Sequence, residues 1–317
     1  DTAELHAALL GLSQDVNVPE LTEPIQLSTL LQVTFPNGSF AVADLDALNL
    51  VTGLIELYNY KNVATTNDPV TLTGTILNEP GVNTVEMWAQ VIEPPIIDTI
   101  VCEGEQFYSA AIRLKLNVDL VDISVAGTDV TITDLDIYVD VARAQGKVTS
   151  IHDPGATSPH VTIAASHGVT NVYMGSISDS LFFNRTHVIN PAADVGWGTV
   201  GSVDPLLQPL MSVEAKGWAE GTAPLASVLD FFGPFPESQT AGTSATFIAN
   251  AVNDLLTSLQ ARVTLLGQPV ADPTGNIRNI VAGAIDAPLT AVLANVADPA
   301  LEILGIGIGE MDVTINS

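Results

Sequence analysis

The chain has 317 residues, of which 47% are hydrophobic, 14% are charged and only 5% are aromatic. Nine Lys and Arg stand against 36 Asp and Glu, which gives a formal net charge of −27 at pH 7. This charge repels the phosphates of nucleic acids and of anionic lipid surfaces, so both are poor candidate partners. The acidity is typical of a soluble surface, with cation binding as the functional alternative. Scarce aromatic rings disfavour a groove that stacks on sugars or bases.

Cys102 is the only cysteine, so it cannot form an intramolecular disulfide. No basic residue adjoins it in the sequence, which favours a buried or incidental cysteine over a nucleophile. No uninterrupted apolar stretch has the length of a bilayer span. The chain starts at Asp1 without a leader, so we expect a processed or excised segment of a secreted protein.

Residues 1–60 are mainly helical by pattern. The clearest helix begins at Asp44, a suitable N-cap, and runs to Tyr58. Its polar residues recur at helical spacing, and apolar residues cover the remaining faces. The pattern predicts a largely buried helix over residues 44–58.

Residues 61–236 form a β-rich centre by pattern. From Val70 to Phe235 the apolar period is two, and Thr, Val and Ile are enriched between turn residues. Alternation is strictest over residues 111–120, which predicts a strand with one wet face. Residues 85–91 and 137–142 alternate in the same way. We expect these strands to pair antiparallel.

Residues 237–317 are mainly helical, and two irregular connections, residues 192–209 and 234–243, are candidate boundaries. A helix should begin at Thr243 or Ser244. Its apolar side chains fall at helical spacing at Phe247, Ile248, Ala251, Val252, Leu255, Leu256 and Leu259.

Asp286 and Asp298 each lie next to or near a proline, so short helices should begin at both. Gly305 should end the last one, and an alternating strand over residues 310–315 should return to the central sheet. The sequence thus predicts an α+β fold in one coupled module. Its antiparallel, β-rich and sandwich-like centre is flanked by amphipathic helices from the N- and C-terminal parts.

Several segments follow one another in a recognisable order and spacing. They are Val91-Ile92-Glu93-Pro94-Pro95-Ile96-Ile97, then residues 111–116, 137–142 and 146–151. A Gly233-Pro234-Phe235 turn and a glycine-rich segment at 304–314 follow near the end. Together they resemble the exported region of TadG-like proteins of the tight-adherence (Flp-type) pilus system. The resemblance covers residues 40–151 and 231–315, and residues 160–230 match weakly.

The chain departs from the family pattern in two respects. Family members place cysteines after the segment like residues 148–151 and after the closing strand, where this chain has His152 and ends at Ser317. The family's upstream membrane anchor is missing from the sequence. Both departures leave open a relative that is released from the membrane and used differently.

The resemblance implies a secreted, non-enzymatic protein of the bacterial cell envelope, in the periplasm, on the outer surface or outside the cell. It would be a structural or assembly component, and its partners would be other pilus or envelope proteins or copies of itself. Membrane attachment would come only through an upstream anchor. The composition also suits an alternative, a self-assembling extracellular filament or surface-layer subunit. A carbohydrate-binding protein is less favoured because aromatics are scarce.

The sequence contains several possible chemical sites, each of which also has a simpler structural interpretation. Gly196-Trp197-Gly198-Thr199-Val200-Gly201 matches a dinucleotide-binding fingerprint, but the sequence predicts neither the strand before it nor the helix after it. Four histidines lie in one region without a compact metal spacing, which favours solvent-exposed loop positions. They are His152, His160, His167 and His187.

A run of aspartates could supply calcium ligands, but it lacks the alternating calcium-loop pattern, so a solvated sheet face is the default and Ca²⁺ the alternative. It comprises Asp119, Asp122, Asp129, Asp134, Asp136 and Asp140. No serine nucleophile motif occurs, and Glu79-Pro80 and Glu93-Pro94 suit proline-broken strand ends. Trp88 lies either in an exposed patch or, as we favour, beneath a helix. No catalytic, cofactor-binding or metal-binding residue is predicted.

Overall fold

The structure is a computed structural model, and it describes residues 70–73, 81–93, 102–124, 130–152, 159–203, 211–221, 225–272, 276–303 and 307–315. The helix predicted over residues 44–58, and all of residues 1–60, lie outside the described residues. The described strands pair antiparallel in three sheets, with helices against the largest one. The predicted α+β, β-rich fold class is therefore confirmed.

Fifteen strands are described. In chain order, β1 to β15 are Val70–Thr73, Val82–Glu93, Gln106–Tyr108, Ala111–Ser124, Val130–Val141, Gln145–His152, His160–Ser166, Thr170–Met174, Gly198–Val203, Met211–Ala219, Ser227–Phe232, Glu237–Gly242, Gln260–Leu265, Gln268–Val270 and Glu310–Ile315. The described helices α1 to α5 are Asp179–Phe182, Pro191–Asp194, Ser244–Ser258, Ile277–Val292 and Asp298–Ile303. A π-helical turn, Leu293–Ala297, joins α4 to α5.

The large sheet has nine strands in the order β1-β2-β4-β5-β8-β10-β13-β14, and β9 also lies between β5 and β10. β8 pairs with residues 137–141 of β5, and β9 pairs with residues 130–132 of the same strand. Two short strands therefore share one position in the sheet. The chain between them, residues 175–197, is called here the β8–β9 segment.

One face of the large sheet is apolar and packs against helices. The predicted alternation of β4 holds, because its apolar side chains are all buried there, at Ile112, Leu114, Leu116 and Val118. α3 supplies Ile248, Val252 and Leu255 to the same cluster, and α4 supplies Val281, Ile285 and Leu289. Removal of this apolar area from water is the main force that holds sheet and helices together.

The two smaller sheets form a separate sandwich. One has the order β11-β7-β6-β3, and the other is the pair β12-β15. A second core lies between them, formed mainly by Val161, Ile163, Phe231, Met311 and Val313. The sandwich-like packing predicted for the centre thus occurs in the smaller sheets, whereas helices cover the large one.

Two of the predicted helix starts are confirmed and one is wrong. α3 begins at Ser244 after Thr243, and α5 begins at Asp298. The helix predicted to begin at Asp286 does not exist, because α4 runs through this position with Pro288 inside it. Pro288 is buried, so packing of α4 on the core outweighs the backbone hydrogen bond that a proline removes.

Three strand assignments from the sequence need correction. The candidate boundaries 192–209 and 234–243 contain β9 and β12, and residues 260–270 of the supposedly helical part form β13 and β14 of the large sheet. The predicted terminal strand is present as β15, but it pairs with β12 instead of the central sheet. These segments are strands because they pair with segments distant in the sequence, and the local pattern of residues does not show which segments pair.

Among the described helices, Ile277–Ala297 is long and apolar enough, by length and composition, to cross a membrane. Arg278 and Asp286 interrupt its apolar run, so the sequence contains no uninterrupted apolar stretch here. In the structure its apolar stripe at Val281 and Ile285 is buried against the large sheet, as in the core helix of a globular domain.

Candidate functional site

The second face of the large sheet is polar, and it carries a straight row of large side chains. Trp88, Lys115, Tyr138, Tyr173 and Trp218 lie opposite one another on five neighbouring strands. Tyr138 and Tyr173 are only 2% and 1% exposed. The wet face predicted for this sheet is therefore wet only in part, since the β8–β9 segment covers its middle.

Glycines close the neck of the β8–β9 segment. Gly175 has φ 133°, and a Cβ there would lie 2.5 Å from the carbonyl oxygen of Gly196. Ser176 and Gly196 exchange backbone hydrogen bonds of 3.0 and 2.9 Å. Further along, a Cβ on Gly201 would lie 2.0 Å from the carbonyl oxygen of Thr131. The glycines that match a dinucleotide fingerprint thus allow close backbone approach in and beside β9.

Arg113 holds the β8–β9 segment on the sheet. Its guanidinium donates hydrogen bonds to the carbonyl oxygens of Phe182, Asn184 and His187 at 2.7, 2.9 and 2.8 Å. Its Nε lies 3.2 Å from Asp140, and the arginine is 5% exposed. Burial raises the pKa of the Asp140 carboxyl, and the adjacent Arg113 partly opposes that rise. Asp140 is therefore a half-buried partner of Arg113 and not part of a solvated sheet face.

Other basic residues of the polar face contact the segment as well. Lys115 Nζ lies 2.7 Å from Asp179 of α1. Two cations also contact the Trp197 ring. The guanidinium carbon of Arg262 lies 4.2 Å from the ring centroid, and Lys216 Nζ lies 5.3 Å from it. With Arg113, four of the nine basic residues in the chain hold this cover. The middle of the polar face is an internal interface and not a free binding surface.

Tyr138 fixes the start of the segment. Its hydroxyl donates to the Ile177 carbonyl oxygen at 3.1 Å and accepts from the Ile177 N–H at 3.2 Å. Burial raises the pKa of Tyr138 to about 12 and also raises the pKa of Tyr173. Trp88, at the end of the same row, is half-buried with the Lys115 ammonium 4.8 Å from its ring centroid. It therefore forms no exposed patch.

The structure brings two of the four histidines together. His152 and His160 are opposite each other in β6 and β7, with ring centroids 5.8 Å apart. The His160 ring stacks on Phe232 at 4.4 Å, and its Nε2 lies 3.0 Å from Asp230. Hydrogen bonds from Thr162 and then from His160 lower the pKa of Asp230. The loop position predicted for His152 and His160 is wrong, since both lie in strands.

His187 belongs to the β8–β9 segment, where its Nε2 lies 2.8 Å from Asp194. The Asn190 N–H and then His187 lower the pKa of Asp194. His167 lies apart from these, with Nδ1 3.1 Å from the Gly168 carbonyl oxygen. In the part of the chain that the structure describes, no three His, Cys, Asp or Glu side chains are grouped to hold a metal ion.

The predicted aspartate face is engaged by its neighbours. Asp119 accepts a hydrogen bond from Asn83 at 2.6 Å, Asp136 from Asn117 at 2.8 Å, and Asp134 from Thr133 at 2.6 Å. These three carboxylates are half-buried. The side chains of Asp122 and Asp129 lie outside the described residues.

Two isolated candidates from the sequence have structural positions. Glu93 ends β2, as predicted for a strand end, and its carboxylate lies 3.0 Å from Arg143 Nε. Glu79 lies outside the described residues. Cys102 is exposed, so of the two predicted alternatives, a buried or an incidental cysteine, the buried one is wrong.

Exposed large apolar side chains concentrate at two places among the described residues. The β11 surface consists of Leu225, Val228 and Phe232, which are 94%, 66% and 62% exposed. The hairpin tip consists of Leu265, Leu266 and Val270, which are 42%, 71% and 37% exposed. Sequence periodicity did not identify either of them. Apolar patches of this kind mark contact sites more often than isolated exposed residues do.

The backbone edge of β11 is partly capped. Glu237 accepts a hydrogen bond from the Phe232 N–H at 2.6 Å, and Gln239 donates to the Asp230 carbonyl oxygen at 2.5 Å. β11 is the outermost described strand of its sheet, so these side chains block positions where another strand could pair. β11 therefore exposes mainly its side chains, and its backbone edge is partly blocked.

The hairpin tip is strained. Leu265 pairs with Gln268, so Leu266 and Gly267 form a two-residue turn with φ values of 52° and 76°. Turns of this type favour Asn-Gly or Asp-Gly, and a leucine there costs roughly 1–2 kcal/mol. Because Leu266 is largely exposed, its burial within the chain does not offset this cost.

Comparison with protein-family models, curated proteins and solved structures finds no match to this chain. The described geometry therefore carries the functional argument, together with the sequence resemblance. Its clearest features are a polar sheet face covered by the chain itself and two exposed apolar surfaces.

Proposed function

We propose that this chain is a non-enzymatic, secreted protein of the bacterial cell envelope, and a structural or assembly component of a tight-adherence pilus system. The observation that carries the proposal is the β11 surface, whose apolar side chains are exposed in an otherwise acidic protein. Such surfaces are typical of protein–protein contacts. The order of the motifs around residues 91–151 and 233–314 supports the pilus system in particular.

The charge of the chain favours contact at the β11 surface. Two molecules that each carry −27 repel each other over most of their surfaces, and so do other acidic envelope proteins. Residues 225–229 contain no charged side chain. Asp230 lies between Val228 and Phe232 on the same exposed face, where Thr162 and His160 engage its carboxylate, so apolar burial acts mainly at Leu225 and Val228.

The covered polar face also supports a role through outer surfaces. Cations and aromatic rings are concentrated on that face, yet Arg113, Lys115 and Trp197 contact the chain's own residues. A sugar would find few accessible rings there, which makes a carbohydrate-binding protein the less favoured class. The hairpin tip, a second exposed apolar surface, favours the alternative of a self-assembling filament or surface-layer subunit.

The proposed function requires no cofactor. Calcium at the aspartates of β4 and β5 is the alternative that the sequence raises, and the register places Asp119 opposite Asp134. If calcium binds there, it should raise the melting temperature of the native chain, and Asp134→Asn should reduce that rise.

The proposal is tested on cells that produce the pilus. Val228→Asp with Phe232→Asp should abolish surface pili in electron micrographs while the amount of protein stays unchanged. Val188→Asp is the matched control, since Val188 is 85% exposed but lies outside both surfaces. Normal pili in the double variant would refute the proposed role, as would robust turnover of a substrate by the purified chain.

A further inference from the structure

Two histidines lie opposite each other where β6 ends and β7 begins. His152 and His160 are partners in the antiparallel register, so their side chains lie on the same face of the sheet. Their ring centroids are 5.8 Å apart. Metal–nitrogen bonds of about 2.0–2.1 Å place the centroids of two imidazoles that share an ion about 5–6.5 Å apart, depending on the angle at the metal. The backbone therefore holds the two rings at the separation that a shared ion requires.

Neighbours on β7 and β11 fix the His160 ring. It lies flat against the Phe232 ring, with centroids 4.4 Å apart and an interplanar angle of 5°. Its Nε2 lies 3.0 Å from Asp230 Oδ1, and the Thr162 hydroxyl donates to the same oxygen at 2.8 Å. A side chain that is already held in one position loses little freedom when it binds, which favours binding.

The same contacts decide which nitrogen of His160 is free. Hydrogen bonds from Thr162 and then from His160 lower the pKa of Asp230, so its carboxylate is ionised at neutral pH and can only accept. Nε2 of His160 therefore carries the proton of this bond, and the lone pair of the neutral ring lies on Nδ1. In metal sites a carboxylate commonly accepts from the second nitrogen of a ligating histidine, because this bond orients the ring and makes the other nitrogen more basic.

We propose that His152 and His160 bind a divalent late transition metal ion. Imidazole nitrogens favour Zn²⁺, Ni²⁺ and Cu²⁺ over the hard ions Ca²⁺ and Mg²⁺. His152 is exposed and has no hydrogen-bond partner among the described residues, so its nitrogens are available. The described residues contain no group of three His, Cys, Asp or Glu side chains for a metal, so water completes the coordination. The site does not depend on the proposed function.

Charge and topology both favour the bound state. The net charge of −27 attracts cations, and the ionised Asp230 adds a negative charge beside His160. An ion shared by His152 and His160 joins the end of β6 to the start of β7, an arrangement that the unfolded chain lacks. Binding should therefore stabilise the folded state by mass action.

Thermal unfolding of the purified full chain tests the site with Ni²⁺ alone. Saturating Ni²⁺ should raise the melting temperature at neutral pH, and calorimetric titration should show one site. His152→Gln should weaken the affinity at least tenfold, whereas His187→Gln, the matched control, should bind like the original chain. His187 is a half-buried histidine whose Nε2 is engaged by Asp194, far along the chain from the β6–β7 pair. Equal affinity in His152→Gln and the original chain would overturn the inference.

A second measurement does not depend on the stability of any variant. Substoichiometric Cu²⁺ should broaden the ring proton signals of His152 and His160 in the NMR spectrum of the original chain before that of His187. Broadening of all three signals to the same extent would refute a shared site at this pair. So would the absence of any change on addition of Cu²⁺ or Ni²⁺.

The role of Asp230 gives the sharpest test of the arrangement. Asp230→Asn keeps the size of the side chain but removes the charge, so Ni²⁺ affinity should fall roughly tenfold, as it does when a supporting carboxylate is lost. Affinity should also fall as the pH is lowered, because both imidazoles must be neutral to bind. Ca²⁺ in place of Ni²⁺ should produce no change at His152 and His160. Stronger Ni²⁺ binding in acid, or Ca²⁺ binding lost in His152→Gln, would overturn the inference.

Discussion

The two faces of the large sheet are covered in different ways. α3 and α4 cover one face with many apolar side chains, none of which needs a specific partner atom. The β8–β9 segment covers the other face through a few directional contacts, above all those of Arg113 and Tyr138. Apolar covers lose stability in proportion to the volume removed, whereas a polar cover depends on single groups whose loss leaves buried partners unsatisfied.

The largest effect should come from Arg113→Met. It leaves three carbonyl oxygens and the half-buried Asp140 without their cation, so the free energy of unfolding should fall by about 3–5 kcal/mol. Urea unfolding measures this loss. Trypsin cleavage after Arg185, within the β8–β9 segment, should also accelerate because the cover opens.

Arg278→Met is the matched control. Arg278 also donates to three carbonyl oxygens, those of Leu256, Thr257 and Leu259 at 2.8, 3.0 and 2.9 Å, but the residue is exposed. Water can replace an exposed guanidinium, so the loss should be about 1 kcal/mol or less. Equal losses in the two variants would contradict the distinction between the faces.

The loss in Arg113→Met should depend on pH. The folded-state pKa of Asp140 is raised by burial, and removing Arg113 removes an opposing effect. Because the folded-state pKa of Asp140 lies above the ordinary value of 3.8, this residue favours folding fully when the pH is below 3.8. The contribution is lost as the pH rises through the folded-state pKa. The deficit against the original chain should thus be smaller in acid than at neutral pH. A deficit that grows in acid would show that Asp140 is not responsible.

On the helix-covered face, Leu289→Ala should cost about 3 kcal/mol, because Leu289 is fully buried and its truncation leaves a cavity. Urea unfolding measures the loss, and Asp286→Ala on the exposed side of α4 is the control. Cleavage after Arg185 should stay slow in Leu289→Ala. Rapid cleavage there would mean that the two covers open together.

Tyr138→Phe should cost about 1–2 kcal/mol, since the buried N–H and carbonyl of Ile177 both lose their partner. The pKa of Tyr138 is raised to about 12, so its contribution is full below pH 10 and lost as pH rises towards 12. Unfolding midpoints across this range should fall less steeply in Tyr138→Phe than in the original chain. Equal slopes would assign the alkaline loss to other groups, such as Tyr173.

The smallest effect should come from Arg262→Lys. It keeps the charge beside Glu214 but removes the planar group over Trp197, so the loss should be below about 1 kcal/mol. Arg262→Gln removes both contacts and should lose slightly more. Urea unfolding of the pair tests this order, and a loss as large as that of Arg113→Met would contradict it.

Local pattern predicted the elements whose environment is regular along their length. β4 alternates because one of its faces packs on helices throughout, and α3 keeps one apolar stripe against the same sheet. The closing strand over residues 310–315 was also predicted, but its partner β12 lies in a segment that resembled a loop. The β11 surface and the hairpin tip could not be predicted, because local sequence does not show which apolar side chains the fold leaves exposed.

By itself the sequence determined the acidic, apolar composition, the β-rich class and the positions of α3 and β4, because charge and short-range periodicity require no knowledge of distant residues. Only the tertiary structure decided that Gly198–Val203 is a strand, that α4 continues through Pro288, and that Arg113 is buried under the β8–β9 segment. In each case groups far apart in the chain supply the compensating contact. The exposure of Leu266 and Phe232 was decided in the same way, by which surfaces the fold left uncovered.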